Sequence, residues 1–242
     1  MIEPVYKTDR VALYHGDCLE VLPEIPRKSV GLLVTDPPYG VMWRSGFGKN
    51  FETLAGDDGS LDVPAVLGAY VQHALAEARH VYVFGYRATG LTDSLRLGGC
   101  ADLIWDKQNT GLGNLTLPWA PQHEAIAFGV YISSKANRDR GSGDLTARLR
   151  QGSVLRVPRP NSRGVNRHPT EKPVELMRRL VESSSVIGDT VLDPFAGSGS
   201  TLVAAVLSGR KAIGVEIDER YVKVAVERLI EAEKIADMIE AA

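Results

Sequence analysis

Residues 188–218, GDTVLDPFAGSGSTLVAAVLSGRKAIGVEID, read as a strand, a glycine turn, a short helix and a second strand. The apolar run before Asp193 is too short for a surface helix, and STLVAAVLS breaks off at Gly209 before the second apolar run. Gly197 and Gly199 let the chain turn tightly and let a ligand approach without interference from a Cβ atom. The second strand ends at Glu216, where a carboxylate can accept hydrogen bonds from ribose hydroxyls. A glycine pair after a strand is also a common structural turn, so this stretch alone fixes the fold better than it fixes a ligand.

Two details narrow the ligand. The third glycine of a GxGxxG fingerprint is missing, because Leu202 holds its place, and the turn opens with Asp193 and Pro194. A carboxylate there repels a pyrophosphate but suits a nucleoside that carries an ammonium and a sulfonium group. S-adenosylmethionine has both, and a ribose for Glu216.

Working outward, short apolar runs alternate with helical patterns, the signature of a mainly parallel sheet covered on both faces. The expected strands are VALYHG, VGLLVTD, HVYVFG, DLIWD, EAIAFG, TVLDPF and KAIGVEI, giving a seven-stranded α/β sheet. Asp62 and Pro64 start a helix with Leu67, Val71, Ala74 and Leu75 on its inner face. A second follows Pro173, with Val174, Met177, Leu180 and Val181 inward, and the last carries Val222, Val226, Leu229 and Ile230. A chain of 242 residues with one such alternation is read as a single domain. Residues 42–60 read as a mobile loop. No run of 18 or more apolar residues occurs and the first residues do not resemble a signal peptide, so a cytoplasmic protein is expected.

The net charge of -2 conceals an uneven distribution. Between Ser133 and His168 nine arginines and lysines face only Asp139 and Asp144. Such a Gly/Ser/Pro-rich stretch is either a solvated loop or a phosphate-contacting insertion. Cys18 and Cys100 lack any metal or disulfide spacing and read as ordinary, mostly buried thiols; the five histidines offer no metal-ligand spacing, and His123-Glu124 reads as structural, with a metal pair as the remote alternative.

The strand VGLLVT runs into Asp36-Pro37-Pro38-Tyr39. Strand ends of this polarity hold the ligands of open α/β sheets. Pro37 and Pro38 stiffen the turn and lack N–H donors, so Asp36 and the Pro37 carbonyl are acceptors that match an exocyclic amino group. Tyr39 offers a flat surface for a base, and Trp43, Arg44, Phe47, Lys49 and Phe51 mix aromatic and basic character just beyond it. Asp17, Asp36, Asp193 and Glu216 are each read as ending an expected strand, so one parallel sheet gathers four carboxylates along one edge. A cationic ligand and amino donors would relieve their mutual repulsion.

DPPYG, HPTEKP and VLDPFAGSGST, in that order, resemble the amino-group DNA methyltransferases of the β type, over nearly the whole chain. The resemblance implies a Rossmann-like S-adenosylmethionine-dependent methyltransferase fold in permuted order, with the catalytic half first. It implies methyl transfer to adenine N6 in DNA, since a serine before PPY is commoner among cytosine N4 members; cytosine N4 is the near alternative. Asp36, Pro37, Pro38 and Tyr39 take the catalytic positions. Asp17, Thr170, Lys172, Asp193, Phe195, Gly197, Ser198, Gly199, Ser200, Thr201 and Glu216 take the cofactor positions, with Asp17 toward the adenine and Lys172 toward the methionine carboxylate. Ser200 replaces the threonine of the GSGTT form. Residues 133–168 take the place of a target-recognition region on double-stranded DNA, in a bacterial or phage-encoded protein. A homodimer and a cognate restriction endonuclease are partners this reading admits. The competing readings are a non-catalytic DNA-binding protein of the same fold and a nicotinamide dehydrogenase, the latter weakened by the missing third glycine.

Overall fold

The computed structural model describes residues 2–38, 59–110, 116, 118–138, 151–159 and 171–241. In chain order these form β1 (Tyr6–Lys7), β2 (Val11–His15), α1 (Cys18–Val21), β3 (Val30–Thr35), α2 (Val63–Ala74), β4 (Leu75–Phe84), β5 (Leu97–Asp106) and β6 (His123–Tyr131). They continue with α3 (Lys135–Arg138), β7 (Val154–Arg156), α4 (Val174–Ser184), β8 (Thr190–Asp193), α5 (Ser200–Leu207), β9 (Lys211–Glu216) and α6 (Glu219–Glu240).

One sheet runs in the order β1-β2-β9-β8-β3-β4-β6-β5-β7. All seven expected strands form. The sheet has nine because β1 and β7, of two and three residues, add themselves at its two edges. Runs that short carry no periodicity to read. Pairing is parallel from β2 through β9, β8 and β3 to β4, while β6 is antiparallel to both its neighbours. β7 lies inside the basic stretch, pairs in parallel with β5, and sends Leu155 into the core together with Val157 beyond its end. That part of residues 133–168 is therefore sheet and not loop.

Alternation along the strands divides the core between two faces. Leu32, Val34 and Val191 face one side with α4, α5 and α6, whereas Leu33 and Leu192 face the other with α1 and α2. Asp62 caps α2 by accepting from the Ala65 amide at 3.1 Å, with Pro64 in the first turn. The helix stops at Ala74, so Leu75 is the first residue of β4 and not part of a helical stripe. On α6, Val222 and Leu229 are buried but Ile230 is exposed; Ala225, Ala232 and Ala236 complete the inner face. Alanines there let the helix lie close to the glycine turn.

Close packing of α5 on β9 comes from an unexpected place. Leu202 is fully buried over Gly214, where an added Cβ would stand 2.5 Å from its Cδ1. The room that a third glycine would make on the helix is made by a glycine on the strand.

Candidate active site

Parallel pairing of β2, β9, β8 and β3 sends their carboxyl ends to one rim. His15 pairs with Glu216 and Asp193 with Gly214, so the chain leaves three neighbouring strands at nearly one level. A cavity of about 580 Å³ opens there, lined by Asp17, Asp36, Pro37, Pro38, Asp193, Phe195, Gly197, Ser198, Ser200, Thr201 and Glu216. That volume lies within the range of small-ligand sites. The four strand-end carboxylates thus meet in one place, and the proline turn and the glycine turn share a single cavity. Gly199 sits behind them as the left-handed residue that opens α5. Tyr39, Thr170 and the aromatic and basic residues 43–51 lie outside the described residues, as do residues 139–150 and 160–168 of the basic stretch.

Each carboxylate is held differently. Asp17 caps α1, accepting from the Leu19 amide at 2.8 Å, and remains exposed. Asp193 is buried and accepts from the Thr35 hydroxyl at 2.7 Å and the Phe195 amide at 3.1 Å. Burial pushes its carboxyl up to about 6, the hydrogen bonds offset part of that, and the Asp36 charge adds to it. Glu216 accepts from the Gly197 amide at 2.7 Å and the Asp218 amide at 2.8 Å, which fix its plane against the glycine turn. Its carboxyl is also raised, first by burial and then by the charges of Asp218 and Asp193, against the two amides.

Gly197 has φ +53, and a Cβ there would meet nothing within 4 Å. A side chain at this position would enter open space in the cavity, so the site reads as a cradle that glycine leaves clear. Three acidic groups beside it, two of them biased toward protonation in the absence of a cation, fit a positively charged nucleoside.

Lys172 lines the same cavity. It is buried, and its ammonium is paired with the Asp36 carboxylate and, at 3.0 Å, with Glu124 Oε1. The ring of Phe84 stands 5.1 Å away and that of Trp105 5.9 Å. Burial opposes the charge on Lys172, but Asp36 and Glu124 outweigh it and raise the ammonium above the ordinary lysine range. The ammonium, expected at a methionine carboxylate, borders the cavity beside the Asp36-Pro37 turn.

Glu124, structural by its sequence neighbourhood, lines this cavity instead and binds Lys172 through one oxygen and Lys107, at 3.0 Å, through the other. Arg228 on α6 is a residue that sequence reasoning misses. Its guanidinium donates to Ser198 O at 2.7 Å, Ser198 Oγ at 2.9 Å and Ser200 Oγ at 3.2 Å, and pairs with Glu171 at 3.3 Å. The glycine turn is thereby tied to the segment that carries Lys172. Neither residue stands in a motif, and both act across elements, which leaves no local pattern to read.

Cys18 is buried and its thiol is pushed up to about 12, chiefly by burial and then by Asp17, so it is an inert thiol. Cys100, expected to be mostly buried, is exposed on β5. Among the described residues no group of histidine, cysteine and acidic side chains has an arrangement suited to a metal ion. No helix among them is long and apolar enough to cross a membrane.

A mainly parallel sheet whose acidic strand ends surround a glycine turn, beside a proline-stiffened acceptor turn, defines a Rossmann-like methyltransferase. The DNA methylase family of the N6/N4 type matches residues 101–227, more than half of the chain. This protein belongs to that family. It is 29% identical over 246 residues to the DNA adenine methyltransferase YhdJ of Escherichia coli K12, covering 90% of this chain and 82% of that protein. Its fold matches the complex of M1.HpyAVI with SAM at TM-score 0.65 and 22% identity, covering 90% of this chain and 98% of that one. It also matches the cytosine-N4-specific PvuII DNA methyltransferase at TM-score 0.66 and 18% identity, covering 98% of this chain and 95% of that one.

Proposed function

We propose that the protein transfers a methyl group from S-adenosylmethionine to the N6 amino group of adenine in DNA. The observation that carries this reading is the shared cavity: Asp36 and Pro37 face the same space as Asp193, Gly197 and Glu216. The proposed donor pocket and acceptor turn are side by side.

S-adenosylmethionine supplies an electrophilic methyl group on a sulfonium. Asp193 and its neighbours answer the positive charge of the donor, Glu216 its ribose, and Asp17 its adenine. Asp36 and the carbonyl of Pro37 take the two N–H groups of the target amine. That nitrogen is a poor nucleophile, because its lone pair is delocalised into the ring. Two acceptors favour its pyramidal form and stabilise the positive charge that develops during attack. Asp36 also gives the departing proton a route toward solvent. Alignment of nitrogen, methyl and sulfur by the two turns accounts for the rest of the rate. The chemistry calls on no nucleophilic cysteine, consistent with an inert Cys18.

In a duplex the amino group is paired and stacked, so the adenine must be flipped out, which costs roughly a few kcal/mol. Tyr39 is the stacking surface proposed to recover part of this. Residues 133–168 are proposed to contact the DNA, and Arg159 of that segment lines the cavity itself. Action on bacterial or phage DNA would put the protein in the cytoplasm. A homodimer and a cognate restriction endonuclease remain expectations, tested by sedimentation and by co-purification from the source cell.

Mass spectrometry of nucleosides from DNA incubated with the protein and S-adenosylmethionine tests the reading. N6-methyl-2′-deoxyadenosine is the expected product. N4-methyl-2′-deoxycytidine would move the acceptor to the other amine, and tight DNA binding with no methylated product would mark a binding protein.

A further inference from the structure

Glu124 is the strongest unexplained group in the cavity. It comes from the start of β6, an antiparallel strand outside the donor half of the sheet, and no motif contains it. Its two oxygens hold two cations, Lys172 at 3.0 Å and Lys107 at 3.0 Å. Lys172 in turn reaches Asp36. The order across the site is therefore cation, anion, cation, anion: Lys107, Glu124, Lys172, Asp36. Trp105 walls this row, with Lys107 5.0 Å and Lys172 5.9 Å from its ring, and its indole N–H is anchored on Val157 O at 2.8 Å.

We propose that Glu124 is a positioning residue for methyl transfer, holding the Lys172 ammonium so that Lys172 fixes the Asp36 carboxylate toward the acceptor pocket. The inference rests on the functional reading above and adds a residue to it.

The physical need is plain. A fully buried ammonium keeps its proton only if nearby anions outweigh the loss of water. Asp36 alone is a poor permanent counter-ion, because the reaction requires its oxygens for the target amine. Glu124 supplies a second negative charge that takes no part in that exchange. Burial raises the Glu124 carboxyl, but Lys172 and Lys107 more than offset it, so its net shift is downward and it remains ionised. Among the described residues, other charged groups near the row are Asp193, which faces Asp36, Arg159 on the cavity wall, and Glu171, paired with Arg228.

The test is the alkaline side of the pH profile, read together with the titration of the Lys172 ammonium by 15N-lysine NMR. Glu124→Gln keeps the shape and a hydrogen-bonding oxygen but removes one of the two charges that hold the proton on Lys172. The Lys172 titration is expected to move down by about 1–3 pH units, and the alkaline fall of kcat is expected to move with it. A Lys172 titration that stays where it was, or one that moves while the pH profile of kcat keeps its shape, would overturn the proposal. If Glu124→Gln does not fold, Lys107→Met carries the test with the opposite sign. Loss of the outer cation must raise the Lys172 titration, and an unchanged or lowered value overturns the proposal. Should the unaltered chain methylate no DNA at all, the functional reading falls first and takes this inference with it; activity with an unmoved profile sinks the inference alone.

Discussion

The Thr35 hydroxyl, at the end of β3, donates to the Asp193 carboxylate, at the end of β8, across 2.7 Å. The two residues are 158 positions apart in the chain. One hydrogen bond between neighbouring parallel strands thus ties the Asp36-Pro37 turn to the glycine turn, because Asp36 follows the first residue and the glycine turn follows the second. Any change in the charge of Asp193 is felt at the Asp36 carboxylate.

Cofactor binding should depend on pH through Asp193. Its raised carboxyl, about 6 in the cofactor-free protein, is protonated below that value, and a sulfonium prefers the ionised form. Affinity for S-adenosylmethionine should therefore rise as pH increases from 5 to 7, with proton release on binding at the lower end. Thr35→Val removes a hydrogen bond that favours the charged form, so the midpoint should move upward. Calorimetry in two buffers of different ionisation enthalpy measures both; a flat affinity across this window would remove Asp193 from the donor pocket.

Asp36→Asn should separate chemistry from binding. The amide offers one acceptor but no charge to the developing cation, and kcat should fall by about 10²–10³-fold, as for the loss of one stabilising group in other enzymes. Affinity for S-adenosylmethionine should change far less. Equal losses in the methylation assay and in calorimetry would mean that Asp36 belongs to the donor site.

Lys172→Met should destabilise the fold by about 3–5 kcal/mol, since it leaves Asp36 and Glu124 facing each other without the cation between them. Adding Glu124→Gln should restore part of the loss, because one of the two carboxylates is then neutral. Urea unfolding of the single and double variants gives the cycle. Strictly additive losses would show that the three groups are energetically independent.

Gly214→Ala tests how α5 is seated. The new Cβ would stand 2.5 Å from Leu202 Cδ1 in a fully buried contact, and overpacking of this kind costs about 1–3 kcal/mol. Leu202→Ala in the same chain should return some of that by making room. A thermal melt in which the double variant is no more stable than the sum of the singles predicts would argue that the strand shifts instead.

Salt dependence tests the basic segment. Every arginine–phosphate pair that is removed should lessen the slope of log affinity against log salt by about 1 unit. Neutralising Arg148, Arg150 and Arg163 together should flatten the slope if they meet the backbone of DNA. An unchanged slope would mean that these three arginines do not meet DNA.

The sequence determined by itself the elements and their chemistry. Seven strands, the caps of α2 and the two acidic turns are all legible in it, because each rests on periodicity, proline, glycine or a terminal acid within a few residues. It also places the four carboxylates at strand ends, and a parallel sheet leaves them only one edge to share. What it misjudges are features set by neighbours distant in the chain. Ile230 stands at a helical position that alanines fill instead, β1 and β7 exist only as partners of longer strands, and Leu202 finds its room on Gly214. Tertiary structure alone decided the partners of Lys172. Its ammonium meets Asp36 and Glu124 because β3, β6 and the approach to α4 converge on one cavity, and a buried charge is governed by whatever the fold sets within a few ångströms of it, not by its neighbours in sequence.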